Sequence, residues 1–207
     1  MLFASCAGRP DAWTFTNPDP RQMPPRAEIY AIDDYKGKDQ GEEIPEWVNL
    51  YLEYGPGGVE SMEIYQFHYI FVSRNEGNSI NALNHWAEGF SPDLDFPRLA
   101  AARIERRFFA ESPIPDREFG SFFIDLIRAA SDAVWMGSTW EDDFWMHKRS
   151  GPDETGSWEI LILTAMPKTR FISQFDIIFN SVNFRIPPSW EQLRAIGRIR
   201  DRFFDGF

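Results

Sequence analysis

TWEDDFWMHKRSGPDETGSWEILILTAM, residues 139–166, holds two strand-like runs, Thr139 to Lys148 and Trp158 to Met166. The joint between them, Ser150-Gly151-Pro152-Asp153-Glu154-Thr155-Gly156, is built from residues that turn a chain sharply. So short a joint returns the chain antiparallel, because a parallel pair needs a crossover of about a dozen residues or more. Ile160 to Leu163 is apolar on both faces and reads as a central strand. The hairpin therefore points to a mixed or antiparallel sheet and away from a doubly wound nucleotide fold.

The neighbouring segments supply the rest of that sheet and its helices. Met62 to Arg74 alternates, with Tyr65, Phe67, Tyr69 and Phe71 on one face and Ile64, Gln66, His68, Ile70 and Val72 on the other. Both faces turn apolar toward its C-terminal end, so this strand too is expected in the middle of the sheet. Asn75 to Asn78 reads as a turn, after which Ser79 caps a helix with Ile80, Leu83, Ala87 and Phe90 along one side. Pro92 is expected to end that helix and Pro97 to open the next, with Ala100, Ile104 and Phe108 inward and Arg103, Arg106 and Arg107 as a solvated face. Pro113 and Pro115 break the chain, and Asp116 caps a helix whose Phe119, Phe122, Phe123, Leu126, Ile127 and Ala130 follow the helical apolar template. Gly137 closes it. Thr169 heads a helix carrying Phe171, Phe175, Ile178, Phe179 and Val182, and Ser189 with Gln192 forms a capping box ahead of Leu193, Ile196, Ile199 and Phe203. The order is strand, helices, strand, strand, helices. It describes an α+β fold with a β-α-β-β-α core and amphipathic helices packed mainly on one face of the sheet.

Residues 44–207 read as one domain, entered at Ile44-Pro45-Glu46-Trp47-Val48. Residues 1–43 read as an N-terminal tail or tether, with Pro10, Pro18, Pro20, Pro24 and Pro25 and no sustained period. Ala27 to Ile32 is the one strand-like run in it. Across 207 residues, 43% hydrophobic and 16% aromatic content exclude disorder as the main state. The 21 basic and 32 acidic residues leave a formal charge of −11. That field repels phosphate backbones, and the small run around Arg103 is no basic stripe, so nucleic-acid binding is not expected. No apolar run approaches the roughly 20 residues of a membrane-spanning helix.

The one cysteine, Cys6, excludes an internal disulfide framework and a CxxC site. Its setting, Leu2-Phe3-Ala4-Ser5-Cys6, resembles the end of a bacterial lipoprotein signal, in which two small residues precede the cysteine that receives the lipid. Phe3 stands where Leu is usual, a relaxation that spirochaete-type lipoproteins tolerate. On this reading 2–6 is a truncated signal, a basic and apolar leader is encoded upstream, and Cys6 is the lipidation site. The alternative is an ordinary cysteine near the terminus of an unexported protein.

The opening Ile44 to Val48, the strand Phe67-His68-Tyr69-Ile70-Phe71-Val72, the helical Leu99-Ala100-Ala101-Ala102-Arg103-Ile104 and the Trp145 to Leu163 hairpin give the chain a layout over residues 45 to 180. That layout resembles the small Helicobacter-type membrane-associated lipoproteins, whose domain is similar to the N-terminal domain of the flagellar T-ring assembly protein. The resemblance implies a non-catalytic cell-envelope lipoprotein, anchored in the bacterial periplasm, with a structural or protein-interaction role and unidentified protein partners. It carries over no active-site residue.

One segment concentrates polar chemistry: Trp140-Glu141-Asp142-Asp143-Phe144-Trp145-Met146-His147. Paired carboxylates beside indoles are what a small carbohydrate-directed hydrolase needs, one acid on either side of the scissile bond and aromatic rings under the sugar. Strand alternation sets Glu141, Asp143, Trp145 and His147 on one side and Trp140, Asp142, Phe144 and Met146 on the other. Glu141, Asp143 and His147 are thus the candidate catalytic residues of the alternative function. The plainer account is a solvated acidic face backed by core aromatics. His68 reads as a core histidine and His85 as solvent-facing, so no metal site and no cofactor are called for. Gly55-Pro56-Gly57-Gly58 reads as a turn before a strand. Trp47, Trp86, Trp135 and Trp190 are assigned to the core, and the C-terminal Phe203 to Phe207 either docks on the body or serves a partner.

Overall fold

The computed structural model describes residues 30–111, 117–149, 155–182 and 190–204. Along them run β1 (Ala31–Tyr35), α1 (Glu46–Tyr54), α2 (Pro56–Glu60), β2 (His68–Gly77), α3 (Ile80–Glu88), α4 (Pro92–Glu111), α5 (Arg117–Asp132), β3 (Thr139–Arg149), β4 (Ser157–Pro167), α6 (Lys168–Ser181) and α7 (Trp190–Phe203). Single turns of 3-10 helix lie at Lys38–Gln40 and Glu63–Tyr65. Cys6, Trp13, the caps Asp116 and Ser189, and the end of the chain from Asp205 fall outside the described residues.

The strands form one antiparallel sheet in the order β1-β3-β4-β2, and the fold is α+β. The hairpin of β3 and β4 sits in the middle, and β4 is buried from Glu159 to Met166. Its Leu161, Leu163 and Ala165 face Trp47, Val48 and Val59 of α1 and α2, while Ile160 and Ile162 face Leu83 and Ala87 of α3. Each buried Leu or Ile of β4 contributes about 1.5–3 kcal/mol relative to exposure, so burial on both faces holds this strand at the centre. The larger core lies on the α3 side, where Tyr69 and Phe71 of β2 meet Phe96 and Ile104 of α4, Phe122 and Leu126 of α5, and Phe171 and Phe175 of α6. Phe203 of α7 closes it, its ring stacked on Phe175 at 4.7 Å between centroids.

Several expectations need correction. The strand expected from Met62 starts at His68, because residues 63–65 take a 3-10 turn, and it runs on through the supposed turn to Gly77. It lies at the sheet edge and not in the middle. Its two apolar faces reflect helices above and below, which periodicity does not distinguish from strands on either side. Of the run expected over 27–32, residues 27–29 lie outside the described residues, while Ala31 and Ile32 open β1 (Ala31–Tyr35), which pairs with β3, so the sheet draws on the stretch with linker composition.

Gly55 to Gly58 is not a simple turn: Gly55 takes φ +70° and Pro56 opens the short α2. A Cβ on Gly58 would sit 2.6 Å from the Leu50 carbonyl oxygen, so the close crossing of α1 and α2 requires glycine. Pro97 lies inside α4, which begins at Pro92, where the Asp95 carboxylate accepts the Ser91 N–H at 3.0 Å. Pro167, not Thr169, precedes the first turn of α6. Ser79 caps α3 as expected, accepting from the Ala82 N–H. Trp47 and Trp135 are core residues, but Trp190 is 66% exposed at the first position of α7, its ring under Arg194. His68 is only half-buried, with its Nδ1 unsatisfied, and His85 is solvent-facing beside Glu88.

Candidate functional site

A β-bulge at Glu141 breaks the alternation on which the acidic segment was read: Trp140 pairs with Thr164 and Asp142 with Leu163, leaving Glu141 without an opposite residue. Trp140 consequently packs edge-on against Phe90 on the α3 side, while Asp142, Phe144 and Met146 turn toward α1. Each polar side chain has its own partner. Glu141 is exposed and accepts the Thr139 hydroxyl at 2.5 Å. The Trp47 indole N–H donates to Asp142 at 2.8 Å. Lys36 Nζ donates to the Asp143 carboxylate at 2.9 Å and to its carbonyl at 2.8 Å, which satisfies β3 where β1 has turned away. His147 lies 3.7 Å from the Asp33 carboxylate, with its ring against Trp158. Residues four apart on a strand are separated by roughly 13 Å, so Asp143 and His147 share neither a proton nor an ion. Among the described residues no three His, Cys, Asp or Glu side chains converge as a metal site.

A second polar group, missed by sequence reading, is buried under the α1 side of the sheet. Glu159 is 1% exposed and lies between Lys148, at 2.8 Å, and Arg74, contacts that are ion pairs without hydrogen-bond alignment. Beside it, the Ser157 hydroxyl bonds to Glu76 and holds that carboxyl below its usual range against the opposing effect of burial, with Lys148 and Arg74 adding to the depression. Burial pushes the Tyr51 phenol up, Glu159 adds to the rise, and Arg74 and Arg106 oppose it. A lone acid inside Trp158-Glu159-Ile160 was the available signal.

The third feature is the outer edge of β2. Arg103, expected in the solvated face of α4, reaches back over the sheet edge and bonds at 2.7 Å both to Glu60 of α2 and to the Ile70 carbonyl. Glu60 accepts the Ile70 N–H at 2.7 Å. The pair supplies an acceptor and a donor where a further strand would, and so seals the edge at this residue. The Arg103 guanidinium also lies over the Tyr69 and Phe71 rings, at 5.0 and 5.2 Å. Nothing in the spacing of Glu60 and Arg103 foretells this contact, since 43 residues separate them.

Antiparallel pairing alternates, so the outward N–H and C=O of Ile70 place those of Val72 and Arg74 on the same edge. Among the described residues no group bonds to the main chain of either. Beside them opens a groove of about 270 Å³, lined by Tyr51, Gly57, Val72, Leu99, Ala102 and Arg106 among others.

Neither protein-family models, nor curated proteins, nor solved structures gave a match to this chain.

The buried phenols carry a pH prediction. Tyr51, Tyr65 and Tyr69 are all raised above the ordinary value of 10.0, burial being the first cause in each. The folded state holds these protons more tightly, so their stabilising contribution is complete below pH 10 and is lost as pH climbs through the raised values. Tyrosinate absorbance and urea unfolding, followed together from pH 9 upward, will show stability falling ahead of bulk phenol ionisation in the fold. Tyr51→Phe will flatten that fall.

Proposed function

We propose that this chain is a non-catalytic cell-envelope lipoprotein, tethered through Cys6, whose domain acts by binding protein. One observation carries the non-catalytic part. Glu141, Asp143 and His147 are each engaged separately, by Thr139, Lys36 and Asp33, in contacts that hold the sheet edge and the bulge. A hydrolase needs two carboxylates opposed across a cleft, and this segment lays its acids along one strand. The lipobox-like Leu2 to Cys6 and the proline-bearing stretch after it support the tether, and the resemblance of the sequence layout to that of the Helicobacter-type lipoproteins supports the envelope setting. The groove beside an open strand supports protein binding, since edges and grooves are where extended segments dock.

The test uses the native locus with its upstream region. The mature chain is expected to begin at Cys6 with a diacylglyceryl group, to leave the membrane only with detergent, and to be released by Cys6→Ser. In-cell crosslinking of the anchored chain is then expected to yield specific protein adducts. An unmodified Met1 would sink the tether, and a chain without adducts would sink the binding role.

A further inference from the structure

Resting on that binding role, we infer that the outer edge of β2 over Val72 and Arg74 takes an extended peptide as a fifth strand, with an acidic side chain of that peptide meeting Arg106. Three observations converge on this edge. The outward main-chain groups of Val72 and Arg74 are unpaired among the described residues, whereas those of Ile70 are sealed by Glu60 and Arg103. The seal stops an incoming strand at Ile70, and the Glu76 N–H, donated to Asn75 Oδ1 at 2.9 Å, bounds the other end, so the unpaired length among the described residues is that of Val72 and Arg74. The groove beside this edge then receives alternate side chains, one set toward Tyr51 and Pro56, the other toward Leu99 and Ala102.

Charge selects the occupant. Arg103 is matched by Glu60 and Arg74 by Glu159, but Arg106, exposed on the groove wall, has no ion-pair partner among the described residues. In a chain of net charge −11, an unmatched cation at an open edge favours a carboxylate there. A second copy of this chain fits less well, since edge-to-edge pairing would bring the two Arg106 side chains to the same junction.

The probe is the capped hexapeptide Thr-Val-Glu-Val-Thr-Val added to the full chain, with a Lys-for-Glu peptide as its control. Binding is expected to slow exchange of the Val72 and Arg74 amides by at least about tenfold and to leave the β1 edge unchanged. Arg106→Glu is expected to weaken the acidic peptide by about tenfold and to turn the preference toward the Lys peptide. Val72→Pro is expected to abolish binding, because it removes an outward N–H while the ladder to β4 uses other residues. Should Val72→Pro not fold, as judged by exchange protection of β4, Arg106→Glu alone decides.

No binding at millimolar peptide, equal affinity for the two peptides, binding without protection at Val72 and Arg74, or a self-associated chain protected at those amides would each overturn the proposal. The crosslinking experiment separates the two readings. Adducts that persist in Val72→Pro leave the binding role standing and overturn the edge; absence of adducts from the wild type removes the binding role, while the peptide measurement still judges the edge.

Discussion

Phe171→Ala lowers stability by about 3–5 kcal/mol, the range for removing a large buried ring that its surroundings cannot replace. Phe171 is fully buried at the start of α6 and lies against aromatic side chains of four other elements or segments, Phe96 of α4 among them at 6.5 Å between centroids. Trp135 stacks on it at 4.8 Å and 16°, Tyr69 and Phe71 of β2 approach at 5.3 and 5.6 Å, and Phe204 lies at 6.4 Å. Rings packed in this way are worth about 0.5–1.5 kcal/mol per pair beyond their area, and these neighbours are themselves locked, so the cavity stays open. In a domain of this size the midpoint of thermal unfolding falls by about 10 °C. Ile177→Ala on the same helix is the control: 69% exposed, it changes stability by about 0.5 kcal/mol or less. A comparable loss in both variants would overturn the ring cluster as the source of the effect, since alanine is the better helix former at both positions.

Arg103→Met costs about 3 kcal/mol, because it strands the carboxylate of Glu60 in a site where that side chain is 11% exposed and leaves the Ile70 carbonyl bare. Urea unfolding will show a lower midpoint with an unchanged slope. Removing both charges in Glu60→Leu/Arg103→Met restores part of the loss, since a buried pair gains little over apolar residues of similar volume. It does not restore all of it, because the pair also terminates the sheet. The double variant exposes the main chain of Ile70 beside that of Val72 and Arg74 and lengthens the open edge. It is expected to self-associate in sedimentation at concentrations where the wild type does not. A double variant as stable and as monodisperse as the wild type would show that the pair is only electrostatic.

Local patterns made much of the architecture legible. The hairpin, the capped α3 and the stripe of Phe122, Phe123, Leu126 and Ala130 each depend on residues within one turn or one strand, so periodicity reads them directly. The errors fall where the decision is not local. Val72 has the same apolar neighbours in sequence whether a strand or a helix lies beside it, and alternation cannot tell them apart. Arg103 stands at a helix position that solvent would suit. Only the arrival of Glu60 and the unpaired Ile70 beside it make the inward rotamer favourable. In the acidic segment, a single bulge residue reassigned the faces that alternation had given to Trp140 and Glu141.

By itself the sequence determined the α+β class, the central hairpin and the apolar stripes, because hydrophobic periodicity and turn chemistry act over a few residues. Tertiary structure alone decided which strand closes the described sheet, which arginine seals its edge and which main-chain groups beside Arg106 have no partner among the described residues. Those outcomes depend on groups brought together from distant parts of the chain, where the cost of an unpaired buried N–H, C=O or charge selects the partner.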